Sequence, residues 1–122
     1  MSKPKHIKNY DAISEARLVS ARMTARKARL VCDLIRGKRV SEALNLLQLT
    51  HKPSACPDVL NLLKSANANA LAKGFSDPDS LVVGTVFVDG GAMMKRMRAA
   101  PQGRGVRVRK RTCHITIRLN TI

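Results

Sequence analysis

The segment RVRKRTCHITIRL, residues 107–119, reads as one long β-strand with two halves of different character. In the second half Cys113, Ile115, Ile117 and Leu119 line one face, and Thr112, His114, Thr116 and Arg118 line the other. A strand turns successive side chains to opposite sides, so this alternation predicts a sheet with one buried face and one face that is wet or meets a partner. In the first half Arg107, Arg109 and Arg111 share a face, with Lys110 opposite them. That half offers nothing to bury.

Working back along the chain, LVVGTVFVD (residues 81–89) is a second strand. DGGAMMKRMRAAPQGRG lies between the two apolar cores, and an antiparallel hairpin over about 85–112 brings them together. If both strands continue outward, about a dozen residues per arm reach roughly 40 Å at ~3.3 Å each. A two-stranded ribbon of that kind is marginal alone, so a partner is expected to support it. Met93, Met94 and Met97 form a soft apolar cluster among Lys95, Arg96 and Arg98. They either pack into a partner or cover the base of the hairpin.

Toward the N-terminus, ISEARLVSARM (residues 13–23) partly alternates and reads as a strand, with Ala16 and Leu18 on one face and Glu15, Arg17 and Val19 on the other. Thr24 is placed to cap a helix that stops at Gly37, with Ala28, Val31 and Ile35 on its apolar face and Leu34 beside them. A second helix is expected over residues 41–49, burying Val40, Ala43, Leu44 and Leu47. A third starts near Pro57, which suits a first turn, and ends before Gly74. On it Leu60, Leu63, Asn67 and Ala70 lie near one face with Val59, Leu62 and Ala66, while Asn67 and Asn69 are open to partner or cap roles. FSDPDS is a loop in which Asp77 and Asp79 suit capping better than acid–base chemistry.

The charge is uneven. Residues 90–122 hold nine Lys and Arg and no acid, a net of +9, whereas residues 1–89 carry a net of +6 within a total of +15. Such a field calls for a polyanion. Arg supplies seven of those nine, and its planar fork bonds phosphate bidentately. With two Phe and one Tyr, a base-stacking surface is poorly supported. Reading of phosphates and 2′-hydroxyls in folded RNA survives, as does a minor-groove ribbon that wraps DNA. Arg26, Lys27 and Arg29 crowd the first turn of the first helix, the wrong end for cations in the helix dipole. A phosphate there would remove the conflict, and a solvated basic face is the alternative.

No nucleophile with its base, phosphate-binding glycine loop or metal-ligand spacing is present in the sequence, so neither enzyme activity, cofactor nor metal is expected. Cys32, Cys56 and Cys113 are too few and too scattered for a disulfide framework, and Cys32 and Cys113 read as buried small hydrophobes. No apolar run approaches a membrane span. The start, MSKPKHIKNYD, lacks the apolar stretch of a signal peptide, and residues 1–12 are expected to form a flexible basic arm before one domain over 13–122.

Taken in order, TARKARLVCDLIRGKRVSEALNLL, LKSANANA, VFVDGG, MKR, GRG and RVRKRTCHITIRL resemble the large-subunit ribosomal protein twenty-two family in its bacterial form, over about residues 13–119. The resemblance implies an α+β fold: a three-stranded antiparallel sheet packed against three helices, with a long protruding basic β-hairpin. It implies a structural constituent of the cytoplasmic ribosome that binds large-subunit (23S-type) ribosomal RNA and aids its assembly. The implied partners also include neighbouring large-subunit proteins and, at the hairpin tip, the nascent polypeptide in its exit tunnel. Carried onto this chain, Arg26, Lys27, Arg29, Arg36 and Lys38 belong to the RNA-facing helix region. Lys95, Arg96 and Arg98 fall on one hairpin arm, and Arg107, Arg109, Lys110 and Arg111 on the other. Lys95, Arg96, Ala100, Gln102, Gly103 and Arg104 mark the tunnel-lining tip, with Arg104 also on the RNA-binding surface. Ala100 and Gln102 stand where the family usually places positive residues, and Gly90 replaces the usual acid after Asp89. The competing reading is an architectural nucleic-acid-binding protein or RNA chaperone outside the ribosome; a protein-interaction module comes third.

Overall fold

The computed structural model describes residues 12–53, 55–75, 77–99 and 101–121. The expected N-terminal arm, except for its last residue, lies outside them. In chain order the elements are β1 (Ser14–Ala21), α1 (Ala25–Ile35), α2 (Val40–Leu49), α3 (Cys56–Ala72), β2 (Leu81–Gly90), β3 (Met94–Ala99), β4 (Gly105–Lys110) and β5 (Cys113–Thr121). Strands β1, β5 and β2 form an antiparallel sheet in that order, while β3 and β4 form a separate two-stranded ribbon.

The central strand β5 organises the core. Cys113, Ile115, Ile117 and Leu119 are completely buried in one cluster with Ala28, Val31, Cys32 and Ile35 of α1 and Val59, Leu63, Ala66 and Ala70 of α3. Burying each large aliphatic side chain here stabilises the fold by ~1.5–3 kcal/mol. Val40, Ala43 and Leu47 extend the cluster along α2. Leu34 does not belong to it. It is 40% exposed, and Cys32 lies inside in its place, because Ala28, Cys32 and Ile35 follow the i, i+4, i+7 stripe that faces the sheet.

The other face of β5, expected to be wet or to meet a partner, is partly covered from within the chain. Thr116 is only 3% exposed, since Arg17 of β1 and Phe87 of β2 pair with it on either side. Arg118 joins this layer, 3.5 Å from the Glu15 carboxylate and 5.3 Å from the centre of the Phe87 ring. In β1 the pairing slips between Leu18 and Ala21, where Ser20 adopts φ 58°. This bulge re-phases the strand so that Ala21 returns to the core opposite Cys113. The Ser20 N–H donates to His114 Nδ1 at 3.0 Å, anchoring the bulge across the sheet.

Both outer edges of the sheet are covered by side chains from the helices. On β2, Arg29 and Arg36 donate to the Val88 and Val86 carbonyls at 3.0 and 2.9 Å. Farther along that edge, Gly37 N–H donates to Val83 O and Val83 N–H to Lys38 O. On β1, Asn69 Nδ2 donates to Glu15 O at 2.9 Å and Lys73 Nζ to Ile13 O at 2.7 Å. An open edge invites pairing with another chain, so these contacts satisfy edge carbonyls as well as holding α1 and α3 in place.

The helix ends follow the sequence closely. Thr24 Oγ1 accepts from the Lys27 N–H at 3.4 Å at the start of α1. Pro57 sits in the first turn of α3, which begins one residue earlier at Cys56. Phe75 N–H to Ala70 O and Gly74 N–H to Leu71 O close its C-terminus with a Schellman arrangement. Asp77 Oδ1 accepts from the Asp79 N–H at 2.9 Å, the local capping expected of the FSDPDS loop.

The long strand read over residues 107–119 is two strands. Arg111 and Thr112 interrupt the ladder, opposite a break at residues 91–93. Each ribbon strand has six residues, so the paired part spans roughly 20 Å rather than 40 Å. The reason is local: the glycine pair at 90–91 ends the apolar pattern of β2, and no core lies beneath the chain beyond it.

Candidate nucleic-acid interface

Register decides which cations share a face of the ribbon. Lys95 pairs with Arg109 and Met97 with Arg107, while Arg96 pairs with Val108, Arg98 with Val106 and Met94 with Lys110. Paired residues lie on one side, so one face presents Lys95, Arg107 and Arg109 and the other Arg96, Arg98 and Lys110. These six are exposed, as are Arg104 in the tip and Arg111 at the root. Of the nine C-terminal basic residues, only Arg118 is built into the body.

At the tip, Pro101–Gly103 forms a single tight turn in which Gln102 and Gly103 both have positive φ, 67° and 72°. Gly103 takes this conformation without steric cost, whereas Gln102 is strained by ~1–2 kcal/mol. Ala100 lies outside the described residues. Met97, 71% exposed, pairs halfway along the ribbon and does not cover its base; its methyl group lies over Gly105, where a Cβ would come within 2.6 Å.

The helix-borne candidates separate into two groups. Arg26 and Lys27 are exposed on the first turn of α1, where no acid is present. Arg36 and Lys38 lie at the opposite end, about 15 Å away along an eleven-residue helix. There Arg36 also pairs with Asp33 one turn back, and its second nitrogen holds Val86 O. Arg29 belongs with the first group while donating to Val88 O. One bond leaves four of the five guanidinium N–H donors of Arg29 for other acceptors.

The first turn of α1 and the root of the ribbon meet. One recess of about 440 Å³ is lined by Thr24, Arg26, Arg29, Gly90, Gly91 and Arg111 among others. A second, of about 490 Å³, is lined by Arg22, Lys27, Met94, Arg109, Lys110 and Arg111 among others. Thr24 and Arg111 line both. In the sequence Arg22 reads as a strand residue and carries no mark of a binding role beyond its position two residues before the Thr24 cap. A shallower recess of about 240 Å³ lies on the ribbon between Lys95, Arg96, Met97 and Arg107. None of these three recesses is lined by an acid.

Two hydrogen bonds hold the root. Gly91 N–H donates to Thr112 O at 2.9 Å, and Thr112 Oγ1 donates to Ala92 O at 2.6 Å. The buried thiols are of another kind: desolvation pushes Cys32 up to about 12 and raises Cys113 as well. Both are held as neutral packing groups, without the thiolate a nucleophile needs.

Comparison with known proteins agrees with this arrangement. Residues 16–120 match the family model for ribosomal protein L22p/L17e. The large ribosomal subunit protein uL22 of Pelobacter propionicus is 50% identical over 107 residues, covering 88% of this chain and 96% of that protein. Its namesake from Citrifermentans bemidjiense is 51% identical over 104 residues, covering 85% and 93%. With the fold, the basic ribbon and these similarities together, the chain belongs to the ribosomal protein L22p/L17e family.

Proposed function

We infer that the protein is a structural constituent of the large ribosomal subunit, where it binds the subunit's RNA and neighbouring ribosomal proteins. Its role is architectural and non-catalytic. The observation that carries this reading is a ribbon with six exposed cations divided between two faces, in a chain whose relatives are named large-subunit proteins. A flat duplex would neutralise one face; RNA folded around the ribbon neutralises both. Phosphate contacts of this kind position the protein without reading sequence.

The finer assignment follows the same logic. Arg26, Lys27 and Arg29, together with Arg36 and Lys38, hold the body against RNA. The arms bind through Lys95, Arg96, Arg98, Arg107, Arg109, Lys110 and Arg111. The tip, from Ala100 through Gln102 and Gly103 to Arg104, faces the nascent polypeptide in the exit tunnel. Met97 and Val106, 71% and 50% exposed among the arginines, give the ribbon apolar contacts that exclude water between phosphate contacts. Residues 1–12 add a basic arm to the single domain over 13–122, and assembly of the subunit is the process the protein serves.

Crosslinking the tagged protein in cells, followed by a high-salt sucrose gradient and sequencing of attached RNA, tests this function. Sedimentation with the large subunit, with crosslinks from residues 95–111 on ribosomal RNA around the exit tunnel, is the expected result. Recovery near the top of the gradient with scattered RNA or DNA would instead identify a general nucleic-acid clamp.

A further inference from the structure

We propose that the root of the hairpin is a discrete two-sided phosphate saddle, in which one strand of RNA backbone crosses the first turn of α1 and places phosphates in the recesses on either side of Arg111. The inference deepens the ribosomal reading, on which it rests, and assigns Arg22 to the RNA-binding surface.

Three observations converge on this place. First, two recesses of about 440 and 490 Å³ adjoin each other and share Thr24 and Arg111 in their walls. Second, their cations come from separate parts of the chain: Arg22 from the turn after β1, Arg26, Lys27 and Arg29 from α1, and Arg109, Lys110 and Arg111 from the returning arm. Third, among the described residues no salt bridge engages any of these cations. Like charges converging without an acid repel one another, and the protein bears that cost unless an anion enters. Arg29 is fixed in direction by its bond to Val88 O, so one wall of the saddle is set before RNA arrives. The α1 amides beside Thr24 add a weak dipole of the correct sign.

The location has a structural consequence. Between the body and the ribbon the ladder is interrupted, and the described backbone bond joining the two strands of the break is Gly91 N–H to Thr112 O. A backbone strand bridging α1 to Arg109 and Arg111 would tie ribbon to body at the place where the protein's own bonding is thinnest. Occupancy of the saddle therefore sets the direction in which the ribbon leaves the body.

The test uses the full chain, transcribed large-subunit ribosomal RNA, and a random-sequence duplex DNA as second probe. Binding is measured from low to high salt for wild type, for R22Q/K27Q/R111Q, and for R17Q/K52Q/K64Q, which removes the same charge from exposed positions of the body. Matching circular dichroism melts for wild type and the saddle variant establish that its fold is intact. Each lost phosphate contact lowers the slope of log K against log salt by about 0.7–0.9. The saddle variant is therefore expected to lose about 2 from the slope, and the body variant to keep it. Equal loss of slope in both variants overturns the saddle and leaves the ribosomal reading standing. Wild-type binding that shows no preference for the ribosomal RNA overturns the ribosomal reading, while the slope comparison on the DNA still judges the saddle.

Discussion

Replacing Gly91 by alanine should detach the ribbon from the body. A Cβ at this position would stand 2.5 Å from Thr112 Oγ1 and 3.2 Å from the Cε1 and Nε2 atoms of His114. The imidazole can retreat by a few tenths of an ångström. The Thr112 hydroxyl cannot retreat without leaving Ala92 O, to which it donates at 2.6 Å. Overpacking at such a site costs ~1–3 kcal/mol, and loss of a hydrogen bond adds about 0.5–1.5 kcal/mol. The sum for G91A is then roughly 2–4 kcal/mol.

A double-mutant cycle isolates the cause. T112A alone loses the hydroxyl bond, about 1 kcal/mol. G91A/T112A removes the colliding atom, so the double variant should be more stable than G91A by ~1–2 kcal/mol. Urea denaturation of the four proteins gives these free energies, and exchange of the Gly91 amide reports whether the root itself has opened. A G91A protein within ~0.5 kcal/mol of wild type would refute the reasoning. So would a double variant no better than G91A, because the clash would then lie with something other than Thr112.

Other predictions follow from the core, the sheet edge and the thiols. Ile117 is completely buried on the central strand, so I117A should cost ~2–5 kcal/mol in urea denaturation, with RNA affinity unchanged at temperatures where it remains folded. Arg29 and Arg36 hold β2 carbonyls; R29Q and R36Q should each lose about 1–3 kcal/mol of stability, whereas R98Q on the exposed arm should change the melting temperature little. Cys32 moves from an ordinary value of 9.0 to about 12 on folding. The unfolded thiol therefore releases its proton first, and folding stability is full below pH 9 and declines toward pH 12 by on the order of 4 kcal/mol. C32A should remove that part of the alkaline decline in melts recorded across the range.

What was legible in the sequence divides along one physical line. Periodicity reports burial, so the elements with a buried face were found with their caps: Thr24 before α1, Pro57 in the first turn of α3, and the alternating face of β5. The ribbon has no buried face, and there the periodic signal ended. Charge continued the strand reading through Arg111 and Thr112, where the structure breaks it. Leu34 was misplaced because adjacent apolar residues on α1 do not reveal which of them the sheet meets. Arg22 was missed for a similar reason. Its role depends on where the returning arm crosses α1, a relation between residues almost ninety positions apart.

The arginines make the same point about function. Composition treats Arg29, Arg36, Arg111 and Arg118 as equivalent contributions to the +15 charge. In the structure Arg118 lies inside the sheet layer, between Glu15 and Phe87. Arg29 and Arg36 each spend donors on an edge carbonyl and keep others exposed. Arg111 has no such anchor in the described hydrogen bonds and lines two recesses at once. A substitution at each should thus read out differently: stability alone at Arg118, stability with some affinity at Arg29 and Arg36, and affinity alone at Arg111. Measuring melting temperature and RNA binding side by side on R118Q, R29Q and R111Q orders the three. If all three lose the same affinity without loss of stability, net charge alone governs binding, and the division of labour argued from these contacts fails.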